Sequence, residues 1–300
     1  MKIAVSGSSG LVGSALISSL ISGGNRVRRL VRREPDRAAG DIAWDPAASR
    51  LDPADLEGVD AVVHLAGESI ASGRWSEEKR KRIRDSRVGS TRLLADTIAR
   101  LERPPQVLIC ASAVGYYGDR GQECLSEEAA AGKSFLAQVC AEWEAAAEPA
   151  RAAGIRVVNL RFGVVLAPNG GALRQMLPLF RLGLGGRLGT GEQYWSWIGI
   201  DDAVGAVEHV LANASLSGPV NMTAPAPVTN REFTAVLARV LRRPAWLPAP
   251  SAALRLALGP MADELLLASA RALPNRLLDS GYAFRHAELE SALRHLLSEH

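Results

Sequence analysis

The chain has 300 residues, 47% of them hydrophobic, enough to bury a full core as one large α/β domain or as a domain with an appended lobe. A formal net charge of +3 gives no strong field pointing to nucleic acid or to an anionic membrane as partner. Three cysteines, Cys110, Cys124 and Cys140, lack a C-x-x-C spacing, which argues against a disulfide framework or a metal site and for a reducing, cytoplasmic compartment. No charged-then-apolar leader precedes the first apolar run, and the stretch 252–258 is too short and interrupted to span a bilayer.

The first element is a strand, Lys2-Ile3-Ala4-Val5-Ser6, running straight into Gly7-Ser8-Ser9-Gly10-Leu11-Val12-Gly13 and then a helical pattern through Leu16 and Leu20. Glycines spaced three apart let the backbone turn tightly and approach a pyrophosphate, and the free N–H groups of the new helix face its negative charge. The strand–turn–helix context lifts this pattern above a bare match. Arg26–Val31 reads as a second strand with Arg32 and Arg33 at its end. Ile42-Ala43-Trp44 is a short third strand, and Asp60 to Gly67 a fourth, ending in Leu65-Ala66-Gly67. Near-continuous apolar runs predict strands covered on both faces. His64 reads as a packed core imidazole.

Ser76-Glu77-Glu78 opens a long helix that ends near Pro104-Pro105, with Ser76 as N-cap and the acids at the positive end of the dipole. Lys79-Arg80-Lys81-Arg82 within it reads as a solvated face, since Glu77, Glu78 and Asp85 are interspersed. This helix is also the candidate face for a homodimer. Val107 to Ser112 is a fifth strand, 134–153 a helix broken at Pro149, and 156–166 contains a sixth strand. Alternating strands and helices predict a doubly wound parallel sheet with helices on both faces.

From Pro168 the character changes. Glycines cluster at 183–191, Tyr194 to Ile198 is a short aromatic strand, and Trp195 and Trp197 alternate with Ser196 on opposite sides of it. Asp201-Asp202 caps a helix through Leu211, and Thr229-Asn230-Arg231-Glu232 is a capping box. Pro244, Pro248 and Pro250 make a stiff connection to a helical tail from Ser251. The expected organisation is a dinucleotide-binding domain over 1–243, with substrate-region elements from about 168, and a smaller α-rich C-terminal lobe over 244–300.

An acidic residue at the end of the second strand grips the ribose of NAD, whereas arginine there suits the 2′-phosphate of NADP. Arg32 and Arg33 stand roughly 20 residues past the glycines, so NADP(H) is expected over NAD(H). Two surface arginines in an Arg-rich chain are the alternative, and an inward Glu34 or Asp36 reverses the preference.

Gly7-x-x-Gly10-x-x-Gly13, the His64-Leu65-Ala66-Gly67 strand end and Ser112 resemble the extended short-chain dehydrogenase/reductase superfamily. Arg161-Phe162-Gly163-Val164-Val165-Leu166, Gly185-Gly186-x-Leu188-Gly189-x-Gly191 and Trp195-Ser196-Trp197-Ile198-x-x-Asp201-Asp202 are similar to an atypical branch, the epimerase/dehydratase-like "epimerase family" proteins with a C-terminal domain of unknown function. The resemblance implies a Rossmann-type fold and NADP(H) contacts at Gly7, Ser9, Gly10, Leu11, Val12, Gly13, Arg32, Arg33, Leu65, Ala66 and Gly67, with Arg87 and Val164 as further ones.

The superfamily's chemistry uses a Tyr with a Lys four residues later and a nearby Ser. Four residues beyond Tyr116, Tyr117, Tyr194 and Tyr282 lie Arg120, Gly121, Ile198 and His286, so the pair is missing. The helix that should carry it reads Phe135-Leu136-Ala137-Gln138-Val139-Cys140. Ser112 either polarises a substrate carbonyl or satisfies backbone and cofactor groups. Tyr117, with a phenol pKa near ~10, needs a cation such as Lys133 or Arg161 to act as a base; otherwise Tyr116 and Tyr117 wall the pocket. The expected function is an NADP(H)-dependent oxidoreductase or epimerase-like reaction on an unidentified small carbonyl or sugar-nucleotide-like substrate; the alternative is a non-catalytic NADPH-binding sensor or scaffold.

Overall fold

The structure is a computed structural model that describes residues 1–298. Its centre is an eight-stranded sheet of β1 (Lys2–Ser6), β2 (Arg26–Val31), β3 (Ile42–Asp45), β4 (Arg50–Leu51), β5 (Ala61–His64), β6 (Val107–Ala113), β7 (Arg156–Phe162) and β8 (Gly218–Met222). The spatial order is β8-β7-β6-β5-β1-β2-β3-β4. All pairings are parallel except that of the two-residue β4, which runs antiparallel along the edge of β3. The order reverses between β1 and β5, the switch point at which doubly wound sheets open a ligand crevice.

Helices α1 (Leu11–Ser22), α2 (Glu77–Ile98), α3 (Phe135–Ala145), α4 (Glu148–Ala152), α5 (Gly171–Arg181), α6 (Ile200–Ala212) and α7 (Asn230–Leu241) follow in chain order. Alternate residues of each strand enter opposite cores, as strand geometry requires. Ile3, Val5, Val63 and Ile109 pack with Leu16 and Leu20 of α1 and Val207 and Val210 of α6. Ala4, Val62, Leu108 and Cys110 pack with Leu94 and Ile98 of α2 and Ala147 and Ala150 beside α4. Both faces are covered, which is why the strands read as unbroken apolar runs.

Several element boundaries differ from the sequence expectation. The long helix stops at Ile98, short of the prolines. The 134–153 helix breaks before Pro149, which sits in the first turn of α4, where its missing N–H costs nothing. The aromatic strand is two pieces: Tyr194–Trp195 pairs with Val228–Thr229, and Trp197–Gly199 pairs with Val164–Leu166. Gly199, not an aspartate, is the N-cap of α6; buried Asp202 instead accepts the backbone N–H groups of Arg285 and His286 at 2.7 and 3.0 Å. Strand β8 escapes sequence reading because its Gly-Pro start carries no strand pattern; Pro219 is tolerated because β8 is an edge.

The tail from Ser251 is not one helix. It consists of α8 (Ser251–Leu258), a π-helical turn (Ala262–Leu267), a short strand (Arg271–Ala272), α9 (Asn275–Asp279) and α10 (Leu289–Ser298). Gly259 at φ 63°, Pro260, Pro274 and Gly281 at φ 83° interrupt it. Leu293 and Leu296 of α10 join Phe233 and Leu237 of α7, Phe180 of α5 and both Trp195 and Trp197 in a third apolar cluster. The capping box at Thr229 and Glu232 starts α7 as expected.

A β-carbon on Gly13 would lie 2.2 Å from the Gly7 carbonyl oxygen, whereas Gly89, exposed on α2, has nothing within 4 Å. Gly13→Ala is expected to lower unfolding stability by about 3 kcal/mol through overpacking. Gly89→Ala is expected to raise it by about 0.5–1 kcal/mol through helix propensity. Urea unfolding of both variants checks the pair, and an unchanged midpoint for Gly13→Ala would refute the steric account.

Candidate functional site

The β1–α1 turn and the end of β5 form the two walls of a cleft of about 460 Å³. Gly7, Gly10, Leu11, Val12 and Gly13 line one wall, Leu65 and Gly67 the other; Arg87, Ala111 and Val164 close the inner end. Of the expected cofactor contacts, Ser9, Ala66, Arg32 and Arg33 do not line it. Gly7 has φ 71°, and a β-carbon there would meet the Leu65 carbonyl carbon at 2.6 Å, so glycine is required twice over. The N-cap of α1 is Gly10, which offers no side-chain cap, and no carboxylate stands in the first turn. The positive end of this helix therefore opens on the cleft without a counter-charge of its own; the one carboxylate in the cleft lining, Glu68, is paired with Lys79.

The opposite wall is fixed by the His64 imidazole. Ser90 Oγ donates to the Ser86 carbonyl at 2.6 Å, so it accepts from His64 Nε2–H at 2.9 Å. Ser6 Oγ then donates to Nδ1 at 2.6 Å and accepts the Leu65 and Ala66 N–H groups at 3.2 and 3.3 Å. Burial, helped by the nearby Arg87 charge, lowers the His64 pKa from 6.5 to about 3. The ring is a neutral structural bridge, in line with the core role expected for it.

The two arginines after β2 do different things. Arg33 donates to the fully buried Asp41 carboxylate at 2.9 Å and to the Glu34 carbonyl. Burial works against that carboxylate, but the Arg29 hydrogen bond and the Arg29 and Arg33 charges outweigh it and hold its pKa below the usual value. Arg32 is exposed and makes no hydrogen bond or ion pair among the described residues, and its charge acts on Glu68, which lines the cleft. Arg87 donates to the Glu68 and Ile83 carbonyls, lies over the Trp143 ring and presses against Gly67. Lys79 is not on a solvated face: it is buried and bonded to Glu68 Oε1 at 2.7 Å and Ser72 Oγ at 2.9 Å, tethering the loop over the cleft.

Ser112 follows Ala111 near the end of β6; Ala111 lines the cleft, but Ser112 is nearly inaccessible and is absent from the lining, so the structure does not place the expected catalytic hydroxyl on the cleft surface. Its Oγ donates to Glu144 Oε1 at 2.7 Å. Glu144 receives a two-pronged pair from Arg161, Nε to Oε1 and Nη2 to Oε2, both at 2.8 Å. Arg161 also donates to Tyr117 Oη at 3.0 Å, and Tyr117 donates to Asn221 Oδ1 at 2.7 Å. The cation expected beside Tyr117 is thus Arg161, not Lys133. Even so, burial outweighs it and raises the phenol pKa, and Tyr117 is fully buried and absent from the cleft lining. The geometry makes it a buried side chain pinned by hydrogen bonds, neither a base reaching a ligand nor, since neither tyrosine lines the cleft, the pocket wall that was the alternative for Tyr116 and Tyr117.

Glu144, which joins Ser112 to Arg161, is a residue of the candidate site that sequence reasoning missed. Leu136, Cys140 and Glu144 recur every four residues along one face of α3, and that spacing is the sequence signal that places Glu144 beside the other two. Burial, with the Glu144 charge, pushes the Cys140 thiol up to about 12, so it stays protonated. Glu264, from the C-terminal segment, was equally unseen; it accepts the Phe135 and Leu136 N–H groups at 3.2 and 2.7 Å and caps α3.

A model of the NAD dependent epimerase/dehydratase family matches residues 3–222, and a model of a domain of unknown function matches residues 249–296. The chain is 47% identical over 291 residues to an epimerase family protein of Mycobacterium bovis, covering 97% of this chain and 96% of that one. Against the epimerase family protein SDR39U1 of Homo sapiens the identity is 37% over 303 residues, with 99% and 100% covered. The crystal structure of human SDR39U1 (isoform 2) with NADPH superposes with a TM-score of 0.90 at 35% identity over 99% of both chains. That of a nucleoside-diphosphate sugar epimerase from Corynebacterium glutamicum gives 0.82 at 38%, covering all of this chain and 58% of the other. No helix among the described residues is long and apolar enough to cross a membrane.

Because His64 is held neutral, the unfolded chain takes up a proton at 6.5 that the folded chain refuses until about 3. The stability it contributes is whole above 6.5 and falls as pH drops through that window, by about 1.4 kcal/mol per unit. Denaturant unfolding at about pH 7, 6 and 5 is expected to show this slope in the parent and to lose it in His64→Gln. Equal slopes in the two proteins would mean that the imidazole is protonated in the fold.

Proposed function

The chain belongs to the NAD dependent epimerase/dehydratase family, and from that premise we propose that it binds NADP(H) in the β1/β5 cleft and acts as an oxidoreductase or epimerase-like enzyme on a small carbonyl or sugar-nucleotide-like substrate. The observation that carries this reading is the bare N-terminus of α1 facing the cleft. Backbone N–H donors and a positive dipole end without a counter-charge are what a pyrophosphate requires. The human relative solved with NADPH supports the same assignment.

Arg32 is the guanidinium left free to take a 2′-phosphate, since Arg33 is committed to Asp41. Arg87 brings a second, partly buried charge to the Gly67 side of the cleft. When bound, a nicotinamide dinucleotide supplies the hydride chemistry. The chain's own contribution lies at Ser112. Its O–H is donated to Glu144, so a ligand that reached past the cleft-lining Ala111 would find an oxygen able only to accept, which suits an alcohol O–H, the group a sugar or a reduced carbonyl offers. Glu144 and Arg161 hold that oxygen in place. A second reading, a non-catalytic NADPH sensor or scaffold, is favoured by one observation: the face of α3 beside Ser112 carries a protonated thiol, Cys140, in place of a phenol and an amine.

Calorimetric titration is expected to give tighter binding of NADPH than of NADH. Arg32→Ala should weaken NADPH about 10- to 100-fold, the worth of one charge-assisted phosphate contact, and leave NADH unchanged. Equal affinities for the two dinucleotides in the parent would overturn the 2′-phosphate assignment. With binding established, NADPH oxidation or NADP⁺ reduction across a panel of carbonyls and nucleotide sugars separates the readings: Ser112-dependent turnover is expected, and none with any compound would favour the sensor.

A further inference from the structure

A second groove, of about 730 Å³, lies along α7 and the 242–248 segment and shares no lining residue with the dinucleotide cleft. Arg187, Arg231, Arg239, Arg242, Arg243 and Trp246 line it, and no carboxylate does. Two of these cations are partly neutralised from outside the groove, Arg231 by Glu192 and Arg239 by Glu290. Arg187 donates to the Thr190 carbonyl at 2.8 Å, which leaves its charge uncompensated. Arg242 and Arg243 are exposed and make no side-chain hydrogen bond or ion pair among the described residues. The Trp246 indole is 84% exposed beside them.

What goes beyond an ordinary basic surface is that guanidiniums without a counter-charge share one concave groove with an exposed indole. Arg242 ends α7 in the left-handed region, φ 53°, where glycine is the unstrained residue and any side chain costs about 1 kcal/mol. The turn is held by the Arg242 and Arg243 N–H groups, which donate to the Arg239 and Ala238 carbonyls at 3.1 and 3.0 Å, so the backbone does not depend on the guanidinium. Arg231 stands in the first turn of the same helix, at the positive end of the dipole, where a cation is disfavoured. Helix electrostatics accounts for Arg239 and Arg242 near the C-terminus, and Glu192 with the Thr190 carbonyl accounts for Arg231; neither accounts for an indole left in water. The groove's volume falls in the range of small-ligand sites, roughly 300–1,000 Å³, and its concavity suits a compact molecule rather than a flat membrane face.

We propose that this groove binds a polyphosphorylated ligand bearing a flat ring, a nucleotide in chemical class. Guanidinium forks match phosphate oxygens in pairs, and an exposed indole offers its face to a base. The site is independent of the dinucleotide cleft, so either assignment can fail without the other.

The test uses the full chain loaded with one equivalent of NADPH, titrated calorimetrically with ATP and with inorganic triphosphate. Saturable, salt-sensitive binding of both is expected, with ATP the tighter. Arg242→Gly combined with Arg243→Ala should weaken both at least about tenfold. Because glycine suits the left-handed turn, Arg242→Gly alone should not lower the melting temperature, and NADPH affinity should be unchanged in each variant. Trp246→Ala should weaken ATP about threefold or more and leave inorganic triphosphate as it was. Absence of heat with either anion at about 1 mM, or binding indifferent to the double substitution, would overturn the proposal. Equal effects of Trp246→Ala on both anions would overturn the part that assigns the ring.

Discussion

The dinucleotide cleft depends on two places where backbone meets backbone with no room for a side chain between them. Gly13 brings α1 against the Gly7 carbonyl, and Gly7 brings the turn against Leu65 at the end of β5. Parallel pairing of β1 with β5, which sets Ser6 opposite His64, puts the second wall in register with the first. Ser6 is the hinge of the arrangement: one hydroxyl serves the imidazole and the two amides that begin the Leu65-Ala66-Gly67 wall. A charged imidazole could not accept from Ser6, so burial and the nearby Arg87 cation, which keep it neutral, also keep the wall in shape. Local sterics, sheet register and a buried titratable group act on the same few residues.

A second constraint holds the inner end. Arg161 and Glu144 form a buried two-pronged pair, and Arg161 lies 3.5 Å over the Tyr116 ring. Burial opposes the guanidinium charge, but Glu144 more than compensates and raises its pKa above the ordinary value. Removing either partner of such a pair leaves a stranded charge, which typically costs about 3–5 kcal/mol. Through Tyr117 and Asn221 the network reaches β8, and through Asn221 Nδ2 and Glu127 it reaches the Leu273 carbonyl and the Arg276 N–H in the C-terminal segment. Glu264 reaches back from the same segment to cap α3. The C-terminal residues thus brace the strand and helix that carry Ser112 and Glu144. In a fold without the Tyr/Lys pair, the order around Ser112 comes from this ion pair.

The doubly wound sheet was legible in the chain because its signals are local: apolar runs of strand length, glycines after the first, and capping residues such as Ser76 and Thr229 that the structure uses as such. The glycine turn between β1 and α1 was legible for the same reason. Long-range polar pairing was not. Nothing in sequence spacing brings Glu144 to Arg161, Lys79 to Glu68, Asp202 to the 285–286 amides, or Glu264 to the start of α3. The tail misled because alanines and leucines favour helix while isolated prolines and positive-φ glycines decide where it stops. Strand β8 was hidden because an edge strand beginning with Gly-Pro satisfies sheet geometry without advertising it.

The arginine-rich composition takes its meaning from this distinction between paired and unpaired charge. Guanidinium counts in the sequence suggest a basic protein, yet most of the informative arginines are spent on structure: Arg29 and Arg33 on Asp41, Arg156 on carbonyls at the end of α6, and Arg161 on Glu144. A planar, fixed-charge group with several donors suits such buried duties better than lysine, which explains why only four lysines occur and why even Lys79 is tied into an ion pair. Other guanidiniums have no side-chain partner among the described residues, and several of them, such as Arg26, Arg92, Arg100 and Arg181, stand on open surface; Arg242 and Arg243 differ in lining a groove beside Trp246, and Arg32 in acting on the cleft-lining Glu68. A missing partner therefore does not by itself mark an anion site, and neither does net charge; concave space beside the free guanidinium is the further condition.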